Sequence, residues 1–425
     1  MVTVWILVLL GVLLALGMPL FFALGIASTV YFAVAGIDLA LLAQRMTASV
    51  DSFLILAIPF FYLAGELMNA CRLTDRIVEM SKAFVGHIHG GLGQVNILAS
   101  MIFSGMSGSA TADTTALGSV LIPAMKKEGY PAPFSAEVTV ASAMVGPIIP
   151  PSVALVIYGA LANVSIGRLL LAGVIPGLVI IGTQMVFTYF LARAKGFPRY
   201  ERASFPAVVH ATKRGAAAVL FPFIIVGGIL SGVFTPTEAA AVAVFYALAL
   251  SVFVFRNVGA REIWGVFQSV SLGSVRILVI IAVASAFSWI MVREQVPQHI
   301  ATGLSTISDN SVIVLFIIIA MLIVVGLFMV ASSAEIVLTP ILVPVVIQFG
   351  IDPVHFGIVM VFTLIIGGGT PPVGVLLFIA QDIAQISFGQ MVRAMLPFYI
   401  PLFIAVALLA LFPQITLFLP NLVFG

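Results

Sequence analysis

The chain has 425 residues, 62% of them apolar and only 8% charged, whereas a soluble domain is roughly half apolar and about a quarter charged. That excludes a soluble globular protein and predicts an all-α polytopic membrane protein. A formal net charge of +2 gives no footing for nucleic acid, and the single cysteine, Cys71, excludes an intrachain disulfide or a cysteine-rich metal site.

The opening MVTVWILVLL has no basic stretch and no small-residue cleavage pattern, so it reads as a retained span. Residues 2–36 are too long for one upright helix and break at Gly17 to Pro19, which predicts two short spans, with one long tilted helix as the alternative. Residues 38–50 mix Asp38, Gln44 and Arg45 with leucines at helical spacing and suit an interfacial amphipathic helix. A span over about 52–70 and a polar loop from Arg72 to His89 follow. Next come a hairpin at 92–125, a span at 132–162 interrupted by GPIIPP, and a crossing at 169–192. The charged stretch 193–214 carries no apolar span and reads as a linker between a first unit, 1–192, and a second, 215–425. The second unit repeats the order: spans at 216–233 and 237–255, an interfacial piece around Arg261 to Gln268, a span at 273–292, a hairpin at 312–348, an interrupted span at 354–380 and a final helix from about 395.

One offset relates the two units. The hairpin prolines (344 − 123), the glycines that open the interruptions (367 − 146) and the proline pairs (371 − 150 and 372 − 151) all differ by 221. Five crossings per unit, an odd number, invert the second copy. Cytoplasmic loops are enriched in Lys and Arg. With the N-terminus outside, fourteen basic residues fall inside, among them Arg72, Lys126, Lys127 and the run from Arg193 to Arg214, and three outside: Arg45, Arg168 and Arg293. The first hairpin then enters from the cytoplasm and the second from the opposite face.

Unwound backbone at membrane depth survives only where it is buried in protein or lines a wet cavity. The proline-broken segments 146–151 and 367–372 free carbonyl oxygens, and Ser107, Ser109 and Thr370 add hydroxyls without charge. Such oxygens suit an alkali cation, and neighbouring helix N-termini suit an anionic group. The alternative is that these residues only pack and kink helices. Asp113 and Glu335 each admit two readings, a helix-start cap or an intramembrane proton or cation site. Arg293 either snorkels from a helix end or recognises a carboxylate. No HExxH, no GxSxG and no paired intramembrane His occurs, so an enzyme is not expected.

The hairpin GMSGSATADTTALGSVLIPAMKKEGY, the following GPIIPPS and YGALANVSIGRLLLAG, the later GGGTPPVGVLLF and the early IPFFYLAGELM together resemble the large membrane subunit (DctM-like) of tripartite ATP-independent periplasmic, or TRAP, transporters. The resemblance implies a secondary transporter with an elevator mechanism, a symporter taking up an organic acid (a carboxylate) with sodium ions, two or more of them. It implies two partners, a small four-helix membrane subunit and a periplasmic substrate-binding protein. The runner-up is a stand-alone sodium- or proton-coupled carboxylate carrier of the same superfamily. Carried over by position, one sodium site would use Ser107, Ser109, Gly146, Ile149 and Pro151, and another Gly326, Gly367, Thr370 and Val373. The cargo would meet Ser107, Ser109, Arg293, Ser332 and Ser333. Some members carry an acid where this chain has Val330, a departure that speaks against sialic acid as cargo.

Overall fold

The computed structural model describes residues 2–71, 73–256 and 258–425; Arg72, counted above among the cytoplasmic basic residues, lies outside them. The described residues form helices and connections, with no strand. The N-terminal α1 (Val2–Ala15) and α2 (Leu20–Val34) are separate, because Gly17 takes a left-handed φ of 80° and Pro19 opens the second helix. Next, α3 (Leu39–Val50) starts where the Asp38 side chain accepts from the Ala40 N–H at 2.8 Å, and it has no buried residue. Then come α4 (Ala57–Ala70) and α5 (Thr74–Val85).

The first hairpin is α6 (Gly91–Ser107) and α7 (Ala110–Lys127). Its turn requires Gly108, which has φ 58° and lies so close to the next segment that a Cβ would stand 2.8 Å from the Pro151 carbonyl oxygen. The interrupted crossing is α8 (Ala132–Ala143) and α9 (Val153–Ala162); α10 (Ile166–Lys195) closes the first unit. The second unit contains α11 (Phe205–Leu230) and α12 (Pro236–Ala249), which continues in a π-helical stretch over Leu250–Phe255. It goes on with α13 (Ala260–Arg293), α14 (Val296–Ser305), the hairpin α15 (Ser311–Phe328) and α16 (Ala331–Gln348), the interrupted crossing α17 (Pro353–Gly368) and α18 (Val375–Ala384), α19 (Phe388–Leu411) and α20 (Gln414–Phe424). Among the described residues seven helices are long and apolar enough to cross a membrane. Several others are shortened by the breaks described above.

The offset of 221 runs through the architecture. Both ends of α16 follow those of α7 by it (331 − 110 and 348 − 127), α17 starts at that distance from α8 (353 − 132), and the cis bonds Pro150–Pro151 and Pro371–Pro372 obey it too. Packing is reciprocal, as a pseudo-two-fold demands: α7 lies against α18 and α16 against α9, while α8 meets α19 and α17 meets α10. Two hydrogen bonds establish that the copies are inverted. Lys126, at the base of the first hairpin, donates to the carbonyl of Ala384 at the far end of α18 (2.9 Å). Tyr158, toward the far end of α9, donates to the carbonyl of Pro353 at the base of the second hairpin (2.6 Å). Each broken helix therefore runs from its own hairpin's base to the base of the other, and the hairpins enter from opposite ends.

Several expected elements are different in the structure. The stretch 193–214 is not all linker: only 196–204 lie between α10 and α11. Gly196 ends α10 with φ 66°, and Pro206 sits in the first turn of α11, whose basic residues ride an exposed face. The interfacial piece and the following span of the second unit fuse into the single helix α13, which in the first unit is divided into α3 and α4 by the non-helical residues 51–56. The polar loop after Arg72 contains α5, and its repeat mate α14 occupies a stretch given no element above; both are amphipathic helices too short to span. The final helix is followed by α20, which packs on α10 and α17.

Candidate functional site

Where the two hairpin tips and the two broken crossings meet, they enclose a cavity of about 340 Å³, within the usual range for small-molecule sites, roughly 300–1,000 Å³. The first hairpin contributes Ser107 to Thr111 and the second Val330 to Ser332 with Glu335; Pro147, Val153, Val373 and Gly374 come from the broken crossings, and Tyr62 from α4. No Lys, Arg or His lines it among the described residues. Instead, the N-termini of four helices, α7, α9, α16 and α18, open onto it. Each brings a partial positive charge and orphan N–H donors.

The four ends are not equivalent. Ser109 caps α7, its hydroxyl accepting from the Ala112 N–H at 3.5 Å, and Ser152 caps α9, accepting from Leu155 N–H at 3.1 Å while donating to the Pro147 carbonyl at 2.5 Å. The matching ends of the second unit start at Val330 and Gly374, neither with a side-chain cap. The donors at the second unit's helix ends thus have no side-chain cap, and those of the first are partly engaged by the chain itself.

Behind the first tip lies Asp113, fully buried, accepting hydrogen bonds from Ser104 (2.5 Å) and from Ser107. It does not cap α7, since Ser109 does so. Gly146 faces the same carboxylate: a Cβ there would stand 2.8 Å from Asp113 Oδ2 and 3.3 Å from Ser104 Oγ. Pro151 lies under the tip with its carbonyl against Gly108, while Ile149 packs against Gly177. In the second unit Gly326 and Gly367 meet backbone to backbone; a Cβ on Gly326 would stand 2.8 Å from the Gly367 Cα. Thr370 donates its hydroxyl to the Ile366 carbonyl (2.6 Å), and the carbonyl of neighbouring Gly369 accepts from Tyr399 (3.0 Å).

Of the residues singled out from the sequence, Ser107, Ser109, Gly326, Val373 and Ser332 line the cavity. Gly146, Ile149, Pro151 and Thr370 belong to the broken backbone beside it, Gly367 lies in the last turn of α17, ahead of the break that the sequence places from 367, and Ser333, partly buried on α16, is not a lining residue. Arg293 is outside: it sits exposed at the end of α13 with its guanidinium 5.3 Å from the centre of the Trp289 ring, a contact that holds it at the helix end and away from the cavity. Tyr62 and Thr111 are lining residues that sequence reasoning passed over. Thr111 stands within the quoted hairpin motif, and Tyr62 within IPFFYLAGELM, so both lay in the right stretches but carried no periodic signal of their own.

A family model described as "Tripartite ATP-independent periplasmic transporter, DctM component" matches residues 7–415. The chain is 43% identical to the sialic acid TRAP transporter large permease protein SiaM of Vibrio cholerae, over 98% of this chain and 97% of that protein. It is 35% identical to the 2,3-diketo-L-gulonate TRAP transporter large permease protein YiaN of Escherichia coli, over 98% of each. The crystal structure of the Alcanivorax borkumensis YdaH transporter superposes with a TM-score of 0.62 over 88% of both chains at 14% identity, which shows a shared fold. These relatives are named as transporter subunits and not as enzymes. An inverted pair of hairpins and broken helices around a cavity, with family identity along nearly the whole sequence, makes this chain a member of the DctM family, the large permease subunit of TRAP transporters.

Proposed function

We propose that this subunit takes up an organic acid, a carboxylate, across the bacterial inner membrane in symport with sodium ions, moving the hairpin-bearing core as an elevator against the remaining helices. The convergence of four helix N-termini on a cavity without a basic side chain carries the reading. Such dipole ends favour an anion, and the two uncapped ones, at Ala331 and Val375, offer donors for a carboxylate.

Cations would bind at the same tips and at the broken segments beside them. Ser107, Ser109 and the carbonyls of Gly146, Ile149 and Pro151 would form one sodium site, beside the buried Asp113; Gly326, Gly367, Thr370 and Val373 would form the other. Hard oxygens without a dense negative charge suit an alkali ion. The coordination in this reading rests on backbone and hydroxyl oxygens.

A small four-helix membrane subunit and a periplasmic substrate-binding protein would complete the transporter, with both termini of this chain in the periplasm. The decisive measurement is uptake of a carboxylate panel into proteoliposomes holding this chain with both partners, under an inward sodium gradient. Uptake that collapses when the gradient is removed is expected. Uptake indifferent to sodium would overturn the coupling, and full uptake without the partners would favour a stand-alone carrier.

A further inference from the structure

One lining group has no part in the reading above. Glu335 sits in the first turns of α16, is 2% exposed, lines the cavity, and its Oε1 atom has no hydrogen-bond partner. Buried polar atoms of native proteins are nearly always paired, and an unpaired one costs about 1–3 kcal/mol. An unpaired acceptor buried in a residue of the cavity wall therefore calls for a donor that arrives with a ligand, reached by a turn of the side chain.

The repeat makes the point sharper. Under the offset of 221, Glu335 matches Thr114, one residue from Asp113. Each hairpin therefore buries one acid at nearly the same depth. Asp113 is answered by the hydroxyls of Ser104 and Ser107, whereas Glu335 has only the backbone N–H of Tyr158 beside it. Both acids are in the same kind of place, and only the one on the cavity wall lacks hydroxyl donors.

No cation is at hand to compensate it. Among the described residues Glu335 has no ion pair, and among the helices packed on α16, α15 has no titratable residue, α9 has only Tyr158, while Arg261, Glu262, Arg276 and Arg293 of α13 and His299 of α14 are exposed. On α17, Asp352 caps the helix by accepting from Val354 N–H at 2.7 Å, and His355 is hydrogen-bonded to Thr416 at 2.8 Å. Ser332, three residues earlier on α16 and thus on the same helix face, also lines the cavity. Along one stripe of α16 the cavity is lined by the uncapped tip, then Ser332, then Glu335.

Building on the proposed carboxylate transport, we infer that Glu335 is a specificity-determining residue: it accepts a hydrogen bond from a hydroxyl of the cargo, whose carboxylate lies at the N-terminus of α16. The cargo is then a hydroxylated carboxylate, and its deoxy analogue is discriminated against because it leaves the buried acceptor unpaired. Either protonation state of Glu335 provides an acceptor oxygen.

The test compares uptake of malate with succinate, and of tartrate with malate, into proteoliposomes of the complete transporter. The wild type should favour the more hydroxylated partner of at least one pair by about tenfold or more, the loss of one buried hydrogen bond. Glu335→Met, close in volume and without a polar tip, should bring that ratio to within about twofold by losing the hydroxylated cargo, while Glu335→Gln, which keeps an acceptor, should preserve it. Thermal unfolding of both variants in detergent checks that they fold. An equal loss of both cargoes of a pair in Glu335→Met, or an unchanged ratio, would overturn the assignment and leave carboxylate transport standing. So would a wild type without preference in either pair, a result that needs no variant. A wild type that takes up no carboxylate at all would overturn the transport reading and this inference with it.

Discussion

Replacing Gly146 by Ala tests whether the broken backbone of the first unit holds a coupling ion. The added methyl would stand 2.8 Å from Asp113 Oδ2, 3.1 Å from the Ala143 carbonyl and 3.3 Å from Ser104 Oγ, where ordinary contact begins at 3.4 Å. The shortfall against the carboxylate is 3.4 − 2.8 = 0.6 Å. The carboxylate has little room to yield, because Ser104 donates to one of its oxygens at 2.5 Å and Ser107 to the other. The strain passes to the tip, where Ser107 is a proposed sodium ligand. Overpacking of this kind costs about 1–3 kcal/mol. If that cost falls on the ion site, sodium affinity drops roughly 5- to 140-fold, at about 1.4 kcal/mol per factor of ten. The assay is uptake against sodium concentration, with the thermal unfolding midpoint measured alongside. Ser119→Ala is the control, since that hydroxyl is exposed and only donates to the Ala116 carbonyl of its own helix. The two effects should also couple: Ser104→Ala relaxes one grip on Asp113, so the double variant should lose less than the sum of the singles. A sodium curve that does not move in a folded Gly146→Ala protein would refute the reasoning and leave the glycine as a packing residue.

Ser107→Ala and Thr370→Val should each shift the sodium curve to the right several-fold, as the loss of one hydroxyl worth about 1 kcal/mol predicts; unchanged curves would place the ions elsewhere. In the 196–204 connection, Tyr200 donates to Glu128, and Lys82 sits 3.6 Å from the centre of its ring. Burial and Glu128 push the phenol above its usual value of 10.0, so the native state binds that proton more tightly than the unfolded chain. The stability it contributes is full below about pH 10 and is lost as pH rises through the raised value. Tyr200→Phe should therefore flatten the alkaline end of the stability profile; an identical profile would refute the link. Cysteines placed at exposed Ser204 and Thr306, in a chain with buried Cys71 replaced by Ser, should label from the cytoplasm and the periplasm respectively. Labelling of both from one side would contradict the inverted orientation.

The helical membrane class and the repeat were readable because they depend on patterns along the chain. Apolar runs report burial in lipid or protein, and prolines and glycines report backbone breaks wherever they fall. The offset of 221 connects positions such as Pro150 and Pro371 without reference to space, and the odd number of crossings converts that repeat into inversion. The resemblance pointed to the same stretches for the site. Boundaries set by packing were less legible. The second unit's interfacial piece and span share the helical pattern of α3 and α4, yet nothing comparable to residues 51–56 interrupts α13. The helices α5 and α14 are short and amphipathic, stabilised by the faces they bury against neighbours, and their composition resembles a polar loop.

Tertiary structure alone decided what each polar residue does, because hydrogen-bond partners come from segments distant in the chain. In the sequence Asp113 and Glu335 pose the same question, whether an acid near a hairpin tip caps its helix or serves a site. Folding gives them different surroundings: Asp113 is enclosed by Ser104 and Ser107 behind the tip, and Glu335 is set on the cavity wall with one oxygen unpaired. Arg293 posed a similar choice and was drawn to Trp289 at an exposed helix end. A cavity, and the side of it on which a charge lies, exists only once α7, α9, α16 and α18 point their N-termini at one place. That convergence is a property of how the two inverted copies pack, and no single stretch of sequence contains it.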